Sequence, residues 1–188
     1  MAKLIYAINM SLDGYIEDAQ GNLDWSISDD ELFAFWTDFQ RSINTCLYGR
    51  RMYESMVYWE TARAESSGHK AAATREFAQL WQQSRKIVYS RTMQTVSSAR
   101  THVERQFDGD VIKKLKASSE ADMSIGGAQL AGQAMDAGLV DELHLLVDPI
   151  ILGGGKAALP SQLELKLDLL NERRFQSGVV DLHYRVLV

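Results

Sequence analysis

The chain has 188 residues, the size of one domain spanning 1–188, and 46% of them are hydrophobic, enough for a sizeable core. A net charge of −5 with no basic patch argues against a nucleic-acid binder, and no stretch approaches the roughly 18 apolar residues that would cross a membrane. One cysteine, Cys46, excludes an intrachain disulfide, and the four histidines lack metal-ligand spacing with each other or with it.

The N-terminus runs straight into a strand pattern at residues 4–10 with no cleavage signal, so the expected location is cytoplasmic. Asp13-Gly14 marks a turn, and residues 17–26 read as a polar loop. A helix is expected from Ser28, where Ser28 and Glu31 have capping-box spacing. Leu32, Phe35, Trp36, Phe39 and Ile43 then form one apolar stripe. Residues 45–48 read as a buried strand ending at Gly49, and residues 50–56 as a helix opening there. The small, polar stretch 61–74 reads as a loop, followed by a helix over 75–83 and a strand over 86–89. A strand over 101–104, a helix over 110–117 and a short strand over 123–125 come next. After Gly126-Gly127 a helix over 129–137 ends at Gly138. Residues 143–147 read as a strand, in a long extended stretch closed by Gly153, Gly154 and Gly155. Segments 163–170 and 179–188 are β-rich. Strands alternating with helices predict an α/β fold with a mixed, mostly parallel sheet flanked by helices and antiparallel C-terminal strands. Residues 179–188 have little polar relief, and as a strand near a sheet edge they would need a cover, such as a two-fold partner.

Three segments suit phosphate. Gly126 and Gly127 allow close backbone approach, and the helix that follows through Ala128, Gln129 and Leu130 aims its unpaired N–H groups at that turn. The G-x-G-x-x-G spacing is absent. Gly49-Arg50-Arg51-Met52 puts two guanidinium forks at a strand–helix junction. Ser90-Arg91-Thr92 places a guanidinium between two hydroxyls after a buried strand. Asp141 and Glu142 read as a solvated strand end, and Tyr58-Trp59 as either a pocket wall or packing.

Four blocks in order, residues 3–18, 48–55, 86–92 and 125–155, resemble the dihydrofolate-reductase-like family. The resemblance is closest to the C-terminal reductase domain of the bifunctional deaminase/reductase of riboflavin biosynthesis, here as a stand-alone relative. Met52 replaces the threonine of the dihydrofolate-reductase motif. The riboflavin-type substrate pattern after the second strand is replaced by GRRMYESMVYWE. The resemblance implies an NADPH-dependent oxidoreductase acting on a small-molecule substrate, heterocyclic or ribosylated, and commonly a homodimer. It implies that Gly49, Arg50, Arg51, Met52, Ser90, Arg91 and the 126–130 turn meet the phosphates and ribose of NADPH, with a cis bond between the two glycines. It points to Ala7, Ile16 and Leu23 around the nicotinamide. The catalytic carboxylate falls on Asp30 when the chain is aligned on Trp25 without a gap, and on Glu31 with a one-residue gap. An acidic first turn is also what the helix dipole favours by itself. Two rivals remain: a dihydrofolate reductase, and a dinucleotide- or flavin-binding protein without turnover.

Overall fold

A computed structural model describes residues 1–62 and 69–187. Its elements are, in order, β1 (Leu4–Ser11), β2 (Tyr15–Glu17), α1 (Asp30–Ser42), β3 (Ile43–Gly49), α2 (Arg50–Met56), a 3-10 turn (Val57–Glu60), α3 (His69–Gln83), β4 (Arg85–Tyr89) and β5 (Thr101–Glu104). There follow α4 (Gly109–Ser118), β6 (Asp122–Gly126), α5 (Ala128–Asp136), β7 (Glu142–Asp148), β8 (Lys156–Ala157), β9 (Lys166–Arg174) and β10 (Val180–Leu187). The main sheet has the order β5-β4-β3-β6-β1-β7-β10-β9. Neighbours from β5 to β7 are parallel, while β10 is antiparallel to both β7 and β9.

Alternation along the strands builds a core on each face. Leu4 and Tyr6 join Leu47, Ile87, Met123 and Ile125 in one cluster, with Ile112 of α4 and Leu130, Ala131 and Ala134 of α5. Ile5, Cys46, Tyr48 and Val88 point the other way, toward Phe77 and Trp81 of α3, Tyr53 of α2 and the aromatic residues of α1. Chain direction accounts for this division: β1 to β3 to β4 advances one way along the sheet, β5 to β6 to β7 the other. Crossovers of one hand therefore lay their helices on opposite faces.

Several expected boundaries move, each for a tertiary reason. α1 is capped by Asp29, whose carboxylate accepts from the Leu32 N–H at 2.8 Å, and not by Ser28. Glu31 does not close a capping box. It accepts from Arg173 at 3.0 Å and from the Gln176 N–H at 2.9 Å, a charged partner and a backbone donor brought in by the C-terminal strands. Ile43 leaves the helical stripe and opens β3, with φ −102° and ψ 123°. α3 starts at His69, so residues 69–74 of the expected loop are helical, as three consecutive alanines favour. Residues 63–68 of that loop lie outside the described residues.

β7 stops at Asp148, before Pro149, which has no N–H to donate. The glycines expected to close it belong to a loop held by Asp13, which accepts from the N–H groups of Leu152 at 3.1 Å and Gly153 at 2.7 Å. Gly155 pairs so closely beside β2 that a Cβ there would lie 1.9 Å from the Glu17 carbonyl oxygen. Of the expected solvated pair, Asp141 keeps a 41% exposed side chain but Glu142 is buried, and both are ion-paired. Lys116 meets Asp141 at 2.6 Å, while Lys3 at 2.7 Å and His183 at 3.0 Å meet the buried Glu142. Burial alone would raise the Glu142 carboxyl, but these bonds outweigh it and hold it below its ordinary value. β10 is interior, and the edge strand at this end of the sheet is β9, with β5 at the other. No helix among the described residues is long and apolar enough to cross a membrane.

Candidate functional site

The carboxyl ends of β1, β3, β4, β5 and β6 open into one cleft of about 1830 Å3. Ligands of open α/β sheets bind at such ends. The volume exceeds the roughly 300–1,000 Å3 usual for one small ligand, leaving room for a dinucleotide and a second molecule.

The cleft floor is made of small residues. On β1, Ala7 and Asn9 face the same side as Ile5, and on β6, Ser124 and Gly126 alternate with Met123 and Ile125. At one end of this floor three glycines meet. Tyr48 of β3 pairs with Gly126, so the Gly49 and Gly126-Gly127 turns lie side by side. A Cβ on Gly126 would stand 2.8 Å from Met52 Cγ and 3.0 Å from Tyr48 Cδ1, and one on Gly127 3.7 Å from Gly49 Cα. Gly127 caps α5 at φ 102° and ψ 118°, without a side-chain hydrogen bond to its first N–H groups. The expected cis bond is not found: peptide bonds are trans among the described residues, and the left-handed φ of Gly127 makes the turn by itself.

Cations ring this end. Arg50 and Arg51 follow β3, Arg91 follows β4, and Arg105 follows β5. Arg50 is braced, with Nε on Glu54 at 2.7 Å and a second nitrogen donating to Thr92 Oγ1 at 3.0 Å. Arg105 donates to the carbonyls of Ser90 and Met93 at 3.0 and 2.6 Å, holding the loop that carries Arg91. The Ser90 hydroxyl accepts from the Met93 N–H at 3.0 Å, shaping the same loop. Arg51 and Lys156 approach Glu17 at 3.8 and 3.2 Å.

The other end is aromatic. Phe33, Trp36 and Phe39 of α1 face Met52 and Met56 of α2, Trp59 of the 3-10 turn and Phe77 of α3. Trp59 packs on Phe77 with ring centroids 4.5 Å apart and on Phe33 at 6.0 Å, whereas Tyr58 is 60% exposed. Beneath this wall Asn9 donates to Ser26 Oγ at 3.2 Å. Next to Ser26, the Ile27 N–H donates to Asp148 Oδ1 at 2.8 Å. Asp148 is 1% exposed, its Oδ2 has no partner within the protein, and burial raises its carboxyl above the ordinary value.

The structure thus brings Ala7, Ile16 and Leu23, the Gly49–Met52 segment, Ser90 with Arg91, and residues 126–130 into one lining. Asp30 is not part of it. It is exposed at the start of α1; the carboxylates that line the cleft are Glu17, paired with Lys156 and Arg51, and Asp136 of α5, and none comes from α1, the 3-10 turn or α3 among the described residues. Sequence reasoning missed Asn9, Ser124 and Arg105. The first two could have been found from strand alternation once Ala7 was chosen; Arg105 had no signal beyond following a strand.

Comparison with known proteins agrees with this architecture. The family model of the RibD C-terminal domain matches residues 2–180. Uncharacterized protein YyaP of Bacillus subtilis (strain 168) is 31% identical over 184 residues, covering 97% of this chain and 94% of that one. A putative riboflavin biosynthesis protein from Shewanella sp. PV-4 superposes with a TM-score of 0.77 at 20% identity, each chain covered completely. A pyrimidine reductase-like protein from Corynebacterium diphtheriae gives a TM-score of 0.68 at 14% identity, covering 100% of this chain and 92% of that one. The deaminase/5-amino-6-(5-phosphoribosylamino)uracil reductase of Thermotoga maritima gives 0.66 at 15% identity, and 57% of its chain is covered.

Proposed function

The chain belongs to the family of the RibD C-terminal domain, and from that membership we propose that it is an NADPH-dependent reductase of a C=N or C=O bond in a small heterocyclic substrate. The family supports a reductase function of the riboflavin-biosynthesis type; the cofactor and substrate are our reading. One observation carries it: the glycine junction of Gly49, Gly126 and Gly127 lies beside four arginines at the carboxyl ends of adjacent strands. Backbone N–H groups and guanidinium forks suit a pyrophosphate and a ribose phosphate. Gly49, Arg50, Arg51, Met52 and the 126–130 turn would hold the pyrophosphate, and Ser90 with Arg91 the adenosine phosphate.

The cofactor, when bound, supplies a hydride. The protein's part is to place and dry the reacting ends. Ala7 leaves room for a flat ring over β1, while Ile16 and Leu23 would exclude water beside it. Asp30 has no part in this reading, because it lies outside the lining. A dihydrofolate reductase is disfavoured because no carboxylate of α1 is among the described residues that line the cleft.

Calorimetric titration with NADPH, followed by the absorbance of reduced nicotinamide in the presence of pterin or pyrimidine substrates, tests the proposal. Saturable binding with oxidation is expected. Binding without oxidation for any such substrate would favour a dinucleotide-binding protein without turnover. No binding would refute the cofactor site.

A further inference from the structure

We propose that the aromatic end of the cleft takes an uncharged, planar heterocycle with an N–H donor near its reducible bond, and rejects a phosphorylated one. This rests on the reductase reading and narrows its substrate.

Charge is divided along the cleft. The lining cations follow β3, β4 and β5 or lie on β8, and no charged side chain of α1, the 3-10 turn or α3 lines it among the described residues. A phosphate carried into the aromatic end would lose its water with no cation to replace it. The same surroundings favour a flat neutral ring. Trp36, Trp59 and Phe33 offer faces and edges for stacking, and Met56 adapts to its outline.

One hydrogen bond beneath the wall sets the polarity of the anchor. Asn9 turns its Nδ2 to the Ser26 hydroxyl oxygen, which accepts at 3.2 Å. That leaves Asn9 Oδ1 as a buried acceptor with no partner within the protein. An orphaned acceptor in a ligand cleft calls for a donor from the ligand, and an N–H of the ring supplies it. Asn9 is two residues from Ala7 on the same face of β1, so the anchored ring would lie next to the nicotinamide position.

The test is a matched pair of ligands on the full chain. Quenching of tryptophan fluorescence is titrated with 5-amino-6-(5-phosphoribosylamino)uracil and with its dephosphorylated riboside, with and without NADPH. Trp36→Phe and Trp59→Phe identify the reporting residue. The riboside is expected to bind at least about tenfold more tightly than the phosphate. Met56→Lys should narrow or reverse that ratio, and Asn9→Ala, checked for folding by circular dichroism, should weaken the riboside about tenfold. Equal or tighter binding of the phosphorylated ligand by the wild type would overturn the proposal, as would failure of both to bind. An unchanged riboside affinity in folded Asn9→Ala would remove the anchor. If the riboside binds as expected while NADPH does not, the reductase reading fails and the ligand class stands.

Discussion

Gly127 stands at φ 102°, a region that side chains avoid, and its missing Cβ faces Gly49 across 3.7 Å. Replacing it adds strain and fills the junction proposed for the pyrophosphate. Gly127→Val is expected to abolish NADPH binding in calorimetry while circular dichroism still shows the folded chain. Unchanged affinity in such a folded variant would refute the site. Asp148 gives a second prediction at this scale. Its carboxyl is raised by burial, so the fold holds the proton more tightly than the unfolded chain does. The stability from that protonation is fully present below the ordinary value of 3.8 and is lost as pH rises through the raised one. At neutral pH the buried charge is a cost that an amide avoids, while the acceptor for the Ile27 N–H is kept. Asp148→Asn should raise Tm by about 2–4 °C at pH 7, with the gain vanishing as pH falls below the ordinary aspartate range. A lower Tm at pH 7 would show that the charge itself is needed.

Among elements, the ends of three adjacent strands matter most. β3, β4 and β5 deliver Arg50 and Arg51, Arg91, and Arg105 to one end of the cleft because they are parallel neighbours. A charge-assisted hydrogen bond is worth about 1.5–3 kcal/mol, so NADPH should bind at least about tenfold more tightly than NADH. Arg91→Ala should remove most of that preference while changing NADH affinity little. Equal dissociation constants for the two cofactors in the wild type would exclude a 2′-phosphate site. Strands such as β3, β4 and β6 were legible because they are short apolar runs bounded by glycine or polar residues. The two-stranded pairing of β2 with β8 was not, since three and two residues carry no period. It depends on the close approach at Gly155 and on the Asp13 clamp, both of which join segments about 140 residues apart in the chain.

For the whole molecule, the edge of the sheet raises the question of assembly. β9 is exposed along its length except at Leu170, and it presents Leu167 at 37% and Leu169 at 49% exposure. An uncovered edge of this kind invites a partner strand or face. The expected state is a homodimer using β9 and β10, with light scattering giving a mass near twice the 21.1 kDa of one chain. Leu169→Lys should shift it toward the monomer. A wild-type mass near that of one chain at micromolar concentration would rule the dimer out.

The sequence by itself determined the alternation of strands and helices, the glycine turns and the arginines after them, because these are local: period, turn chemistry and charge act within a few residues. The order of strands, and with it the grouping of Arg91 with Arg105 and of Asn9 with Ser26 and Asp148, was decided only by tertiary structure. The stacking of His144 on His183 at 3.9 Å is of the same kind. Their spacing in the chain carries no signal, and they meet because β7 and β10 pair in register. Glu31 shows the same rule in reverse. Its local spacing favoured a capping box, but Arg173 and the Gln176 N–H, delivered by the far end of the chain, bind it instead. Asp30 shows where sequence alignment loses its hold. Which residue of an acidic first turn faces the cleft depends on how α1 is rotated against the sheet, and that is set by the packing of Leu32, Phe35 and Trp36, not by the acids themselves.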